Sequence, residues 1–356
     1  MLRLEPRREA SRTMRWLTPP IAVLLTMIGG GLLFLILGKD PIEAINMIFV
    51  ESFTDSYSRS QLFIKAGPLI LIALGLSFGF RANVWNIGAE GQFIVGALAG
   101  GAVGLALHPA DGFWVLPLMT IVGALGGIAW AMIPALLKIK FNANEILVSL
   151  MLVYVAYNLL GYLVTGPMRN PDGFNFPESR SFREIDATSL PTVFEPLGLH
   201  VGGVVALLMV ILGYIVMSRH LLGYQIRLSG QAPRAARFSG VNPNVIIAVT
   251  LGISGALAGM AGLFEATGPA GKLTTNFPLG YGFTAIIVAF LGRLNPIGIF
   301  LAGIVMAVTY VGGETAQFML GLPAAAITVF QGMMLFFLLG TDVFVNYRLR
   351  WVREVK

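Results

Sequence analysis

From Ile21 to Leu37 the chain runs seventeen residues without a charged side chain, and comparable apolar stretches such as Leu69–Leu76 recur along its length. As a helix, such a run is about 25 Å long at 1.5 Å per residue, close to the ~30 Å hydrocarbon core of a bilayer. Only helices and closed barrels satisfy their own backbone in lipid. Barrel strands show alternating segments of roughly ten residues, whereas these runs are continuous. Composition points the same way: 56% of the 356 residues are hydrophobic and 12% are charged, against about 25% charged in a soluble domain. A soluble fold of this length lacks the polar cover its surface would need. A soluble enzyme and a disordered chain are both excluded. The fold class is all-α, a polytopic transmembrane helical bundle.

Segments able to cross are predicted at 17–38, 61–80, 89–107, 113–137, 144–165, 199–218, 244–266, 281–292, 296–313 and 323–340, about ten spans. The segment at 281–292 is short, as a discontinuous helix would be. The first span follows Arg3, Arg7, Arg8, Arg12 and Arg15. It is too long for a signal peptide and lacks an A-x-A-like cleavage site, so it reads as uncleaved. With both termini inside, seventeen of the 24 Lys and Arg residues fall on the inner side and seven on the outer side. Basic residues concentrate in cytoplasmic loops, which supports this orientation and gives the net charge of +6 a membrane meaning rather than a nucleic-acid one. Residues 1–16 then form a basic cytoplasmic N-terminus, and 341–356 a basic cytoplasmic tail.

Two outer segments and one inner segment stand out. Pro41–Phe53 alternates apolar and acidic residues as an amphipathic surface helix would. The proline-rich external loop at 166–197 is long enough to serve an external partner or simply to connect. On the inner side, within the segment 219–243, Gln231-Ala-Pro-Arg-Ala-Ala-Arg-Phe-Ser-Gly240 has proline at a helix start and glycine at a helix stop. A short basic helix with Phe238 as an apolar knob is expected there, with Arg234 and Arg237 on it.

Glycine is abundant, 43 residues in all, and small residues four apart (Gly96/Gly100, Gly123/Gly127, Gly255/Gly259) permit close helix crossings in lipid. Gly-Ala-Leu-Ala-Gly occurs at both 96–100 and 255–259. Polar groups inside spans are costly and therefore informative. The densest cluster is Arg81-Ala-Asn-Val-Trp-Asn-Ile-Gly-Ala-Glu-Gly-Gln92. Asn83, Trp85, Asn86, Glu90 and Gln92 either line a permeation path along a broken helix or staple helices together. A second group is Asn144, Glu145, Tyr154 and Asn158, able to bond a polar planar ligand. Cysteine is absent and the three histidines form no ligand pair, so no metal and no cofactor is expected. No phosphate-binding Gly-x-x-x-x-Gly-Lys-[Ser/Thr] loop is present.

The string Asn83-Val-Trp-Asn-Ile-Gly-Ala-Glu-Gly-Gln92-Phe resembles the signature of the branched-chain amino acid/ribose/nucleoside permease family of ABC importers. Gly292-Arg-Leu-Asn-Pro-Ile-Gly298 resembles its second recurrent motif. Ala235-Ala-Arg-Phe-Ser-Gly240 resembles the segment that docks on an ATPase, with Arg234 in place of the usual Glu. Asn144-Glu-Ile-Leu-Val-Ser-Leu-Met-Leu-Val-Tyr154 is similar to the nucleoside-type branch. The resemblance implies that residues 17–340 form a permease domain of a bacterial inner-membrane importer for nucleosides, itself not an enzyme. It implies three partners: a second homologous permease, a separate cytoplasmic ABC ATPase and an extracytoplasmic substrate-binding lipoprotein. Asn83, Trp85, Asn86, Glu90, Gln92, Asn144, Glu145, Tyr154 and Asn158 are the path candidates. Glu90 is better suited to holding the broken segment in shape. Gln231, Arg234, Arg237, Phe238 and Gly240 are the coupling candidates. Ribose or branched-chain amino acids are the alternative cargo, and an ion-driven secondary transporter or a lipid-acting membrane enzyme the alternative class.

Overall fold

The computed structural model describes residues 2–7, 9, 11–184, 186–277 and 280–351. Of the basic residues assigned to the inner side, Arg8, Arg353 and Lys356 lie outside these. In chain order the helices are α1 (Arg12–Ile36), α2 (Pro41–Asn46), α3 (Ser52–Thr54), α4 (Ser56–Arg81), α5 (Ala89–Ala106), α6 (Val115–Phe141) and α7 (Glu145–Thr165). They continue with α8 (Val201–Arg219), α9 (Leu221–Gln231), α10 (Pro233–Phe238), α11 (Pro243–Thr267), α12 (Tyr281–Leu291), α13 (Pro296–Leu320) and α14 (Ala324–Asn346). The short strands β1 (Leu2–Pro6) and β4 (Tyr347–Trp351) pair antiparallel, as do β2 (Thr192–Phe194) and β3 (Leu199–His200). Among the described residues nine helices are long and apolar enough to cross a membrane. The tenth expected span is the 11-residue α12, about 16 Å long and so about half the hydrocarbon core. Pairing of β1 with β4 puts the two chain ends on one side, which requires an even number of crossings.

The chain falls into two compact units: residues 1–58 with 308–356, and residues 59–307. In the first, α1 packs along α14. Ser11 caps α1 by accepting the Met14 N–H at 3.2 Å. The segment at 41–53 is helical, but a π-helical turn at Met47–Glu51 interrupts it. Its apolar face does not lie open on the outer surface: Ala44 and Ile48 are buried in a cluster with Phe34, Ala316, Leu322, Ile327 and Phe330. Ile42, Val50 and Phe53 of the same segment stay exposed.

In the second unit, α5, α6 and α11 cross at their glycines. A Cβ built on Gly127 would lie 2.0 Å from the Gly255 carbonyl oxygen, one on Gly259 2.4 Å from that of Gly123, and one on Gly96 2.1 Å from the Gly259 Cα. The two Gly-Ala-Leu-Ala-Gly strings thus meet at Gly96 and Gly259. Lipid tails are as apolar as side chains, so close backbone packing of this kind supplies the attraction that water supplies elsewhere. The external loop folds back on the chain that follows α11. Ser179 N–H donates to the Leu273 carbonyl at 2.9 Å, Phe182 N–H to that of Gly271 at 2.8 Å, and Lys272 pairs with Glu178 at 2.5 Å. Phe182 is buried beneath it.

Candidate functional site

After α4 ends at Arg81 the chain turns at Asn83, whose φ of +59° is left-handed, a conformation asparagine tolerates better than most residues. Residues 84–88 then climb back beside α4. Trp85 forms a three-ring cluster with Phe80 (ring centroids 5.0 Å apart) and Phe290 (6.0 Å), which also contact each other at 5.2 Å, and its indole N–H donates to Asn83 Oδ1 at 3.1 Å. Helix α5 begins only at Ala89. At the other end of α12, the Arg81 Nε–H donates to the Leu294 carbonyl at 2.8 Å. That turn carries the left-handed residues Arg293 and Leu294. Because Arg81 ties the C-terminal end of α12 to the C-terminal end of α4, the N-terminus of α12 lies about 16 Å from that tie, about half the hydrocarbon thickness.

Glu90 meets it there. The side chain is fully buried; Oε1 accepts the Gly280 N–H at 2.9 Å and Oε2 the Gly282 N–H at 2.5 Å. A carboxylate in the first turn of α5 thus caps the first turn of α12, where free N–H groups and the helix dipole both favour an anion. Only glycine permits the approach: a Cβ on Gly282 would lie 2.2 Å from the Glu90 nitrogen.

Asn86 and Gln92 form a reciprocal amide pair, Asn86 Nδ2 donating to Gln92 Oε1 at 2.9 Å and Gln92 Nε2 to Asn86 Oδ1 at 3.1 Å. Asn86 also donates to Ser254 Oγ at 2.9 Å and accepts from Gly88 N–H at 3.0 Å. All four of its hydrogen-bonding positions are used within the protein. Glu145 forms an ion pair with Lys138 at 2.5 Å and accepts the Trp85 backbone N–H at 3.5 Å. Asn144 caps α7, accepting from Ile146 and Leu147 N–H at 3.0 and 3.4 Å.

The structure therefore divides the nine path candidates. Trp85, Asn86, Glu90, Gln92 and Glu145 are part of the framework of the broken segment, and the stapling alternative describes Asn86 and Glu90. Asn83 and Asn144 are exposed, just after α4 and at the start of α7; Asn83 lines a cleft of about 170 Å³ with Lys138, Ser229, Ala236 and Arg237, which places it beside α10. Tyr154 and Asn158 lie on the exposed face of α7, within its apolar span, where Asn158 Nδ2 donates to the Tyr154 carbonyl at 2.8 Å. Sequence reasoning missed Ser254, Gly280, Gly282 and the partnership of Lys138 with Glu145. For Ser254, 168 residues from Asn86, no sequence signal exists. Lys138 was legible only as a topology marker.

The coupling residues form one feature. Pro233 opens α10, Gly240 closes it at φ +80°, and Ala236 is buried against the unit. Gln231, Arg234 and Arg237 are exposed and Phe238 is 94% exposed.

The family model for the permease component of the branched-chain amino acid transport system matches residues 58–339. The chain belongs to this permease family. It is 37% identical to the glucose ABC transporter permease TsgB13 of Haloferax volcanii, over 98% of this chain and 93% of that one. It is 28% identical to the guanosine ABC transporter permease NupP of Bacillus subtilis, over 96% of each. It is 24% identical to the nucleoside ABC transporter permease NupB of Lactococcus lactis, over 92% of each. No solved structure matches it. As a permease of the ABC-transporter class with nine apolar helices, it is a multi-pass membrane protein.

Proposed function

We propose that this permease is one of two homologous membrane subunits of an ATP-driven nucleoside importer in a bacterial cytoplasmic membrane. ATP is hydrolysed on a separate cytoplasmic chain, and an extracytoplasmic lipoprotein delivers the solute. The observation that carries the reading is the open face of α7. Tyr154 and Asn158 are exposed inside a transmembrane helix, and an amide there is costly against lipid. That face is supplied with a partner by a second permease, with the water-filled path between them. The tyrosine offers a stacking surface and the amide a hydrogen-bonding edge, as a site for a polar planar solute needs. The guanosine and nucleoside permeases among the relatives support the cargo. TsgB13 favours a second reading, in which the solute is a sugar.

The deciding experiment is uptake by the assembled transporter in proteoliposomes. Labelled guanosine is expected to accumulate only with ATP inside; accumulation of glucose alone replaces the cargo, and uptake by this chain without the ATPase replaces the class. In the same assay, Arg234→Glu with Arg237→Glu is expected to lower ATP-driven uptake at least about tenfold while ATP hydrolysis continues and the protein stays inserted. Two charge reversals at a close interface cost several kcal/mol. Normal uptake by this variant would remove α10 from the coupling path.

A further inference from the structure

We propose that the groove between α1 and α14 binds one anionic phospholipid of the inner leaflet. The groove, of about 400 Å³, is lined by Met14, Thr18, Ile21 and Leu25 of α1, by Thr341 and Phe344 of α14, and by Arg7 and Arg348 at its mouth. All of it lies in one compact unit and outside the residues that the permease family shares. The α1 residues recur at intervals of four, three and four, which puts them on a single helix face. From Met14 to Leu25 they descend about 16 Å, the depth of one leaflet's hydrocarbon. The wall is apolar apart from the hydroxyls of Thr18 and Thr341, and both of those threonines are buried. Thr341 Oγ1 already donates within its own helix, to the Phe337 carbonyl at 2.8 Å. The wall therefore suits an acyl chain and offers no site for a polar solute.

The mouth is where a headgroup would lie, and two of its lining residues are arginines. Arg7 spends its Nε–H on the Tyr347 carbonyl at 3.2 Å. Arg348 and Arg350 both reach Glu5, at 3.1 and 3.2 Å. Two guanidinium groups share that one carboxylate, and Arg7 adds a third positive charge whose printed bond is to a backbone carbonyl. The β1–β4 pairing holds Arg7 and Arg348, 341 positions apart in the chain, at one groove end. Basic pockets at helix ends on the cytoplasmic side take anionic headgroups, and the seventeen-to-seven distribution of basic residues puts this end on that side. Charge complementarity at the mouth and chain-length complementarity in the groove select the same ligand.

The test uses the full chain in mild detergent and native mass spectrometry, with phosphatidylglycerol and phosphatidylcholine of matched acyl chains as probes. One phosphatidylglycerol is expected to stay bound under activation that strips phosphatidylcholine. Arg7→Gln with Arg348→Gln is expected to lower its occupancy about thirtyfold and leave phosphatidylcholine unchanged. Ile21→Trp with Leu25→Trp, which fills the groove and keeps the arginines, is expected to lower it as well. Should these variants fold poorly, the unaltered protein decides: phosphatidylglycerol raises its thermal midpoint and phosphatidylcholine does not. Equal retention of the two lipids overturns the proposal. So does retention indifferent to both double variants, equal thermal shifts, or a second protein chain in place of the lipid.

Discussion

A Gly255→Val chain is expected to yield no monodisperse, folded protein. A Cβ at Gly255 would lie 2.4 Å from the Gly127 carbonyl oxygen and 2.8 Å from its carbon. Both are backbone atoms on the middle of α6, and neither can rotate away as a side chain would. The helices must separate, and separation breaks the neighbouring contacts of Gly123 with Gly259 and Gly96 with Gly259. Overpacking a well-filled site costs about 1–3 kcal/mol where side chains can yield; here three helices move together, and association in lipid depends on that closeness. Gly161→Ala is the matched control. Nothing lies within 4 Å of a Cβ there, and alanine is the better helix former by about 1 kcal/mol. Size-exclusion profiles of tagged protein in detergent compare the two. A normal Gly255→Val peak with an unchanged thermal midpoint would mean that the crossing is not what joins α6 to α11.

Glu90→Ala has the second largest expected effect. It strips the acceptors from the N–H groups of Gly280, half-buried, and Gly282, buried. An unsatisfied buried donor costs about 1–3 kcal/mol, so the loss at Gly282 alone is about 1–3 kcal/mol, a large part of a typical domain's stability. Thermal unfolding in detergent is expected to shift down sharply, with α12 the first segment to lose protection from hydrogen exchange. Glu90→Gln keeps one acceptor oxygen but turns an N–H toward the helix start and removes the charge that the helix dipole favours, so it is expected to fall between. The ordering alanine below glutamine below glutamate, in stability and in uptake together, is the signature of a framework role. If Glu90→Gln folds as the unaltered chain does but fails to transport, Glu90 touches the solute after all.

These residues also show how far the sequence could be read. The unbroken apolar runs were enough for the fold class, since lipid leaves a backbone no other way to satisfy itself. The scarcity of charge made each basic residue informative about sidedness. The start and stop signals around α10 placed Phe238 on an exposed capped helix, because capping is a local property of neighbouring residues. The polar cluster at 81–92 was visible for the same reason: a polar group in a span stands out against its surroundings.

What a cluster does, however, depends on what comes to meet it. Asn86 looked able to bind a solute until Gln92 and Ser254 took up its donors and acceptors. Glu90 found its partners 190 and 192 residues away, in two glycine N–H groups that have no side chain to announce them. Asn83, three positions from Asn86, ended up at the cleft beside α10 because a left-handed turn reversed the chain between them. The sequence by itself determined the class of fold and which few residues carry polarity into the apolar spans. Hydropathy, charge and capping act over a turn or a single span, and they are written in neighbouring letters. Only the tertiary structure decided which of those polar residues are satisfied and which remain open, and that Arg7 and Arg348 meet at the mouth of one groove. Hydrogen-bond capacity is settled by groups brought together across the fold, and no local pattern encodes them.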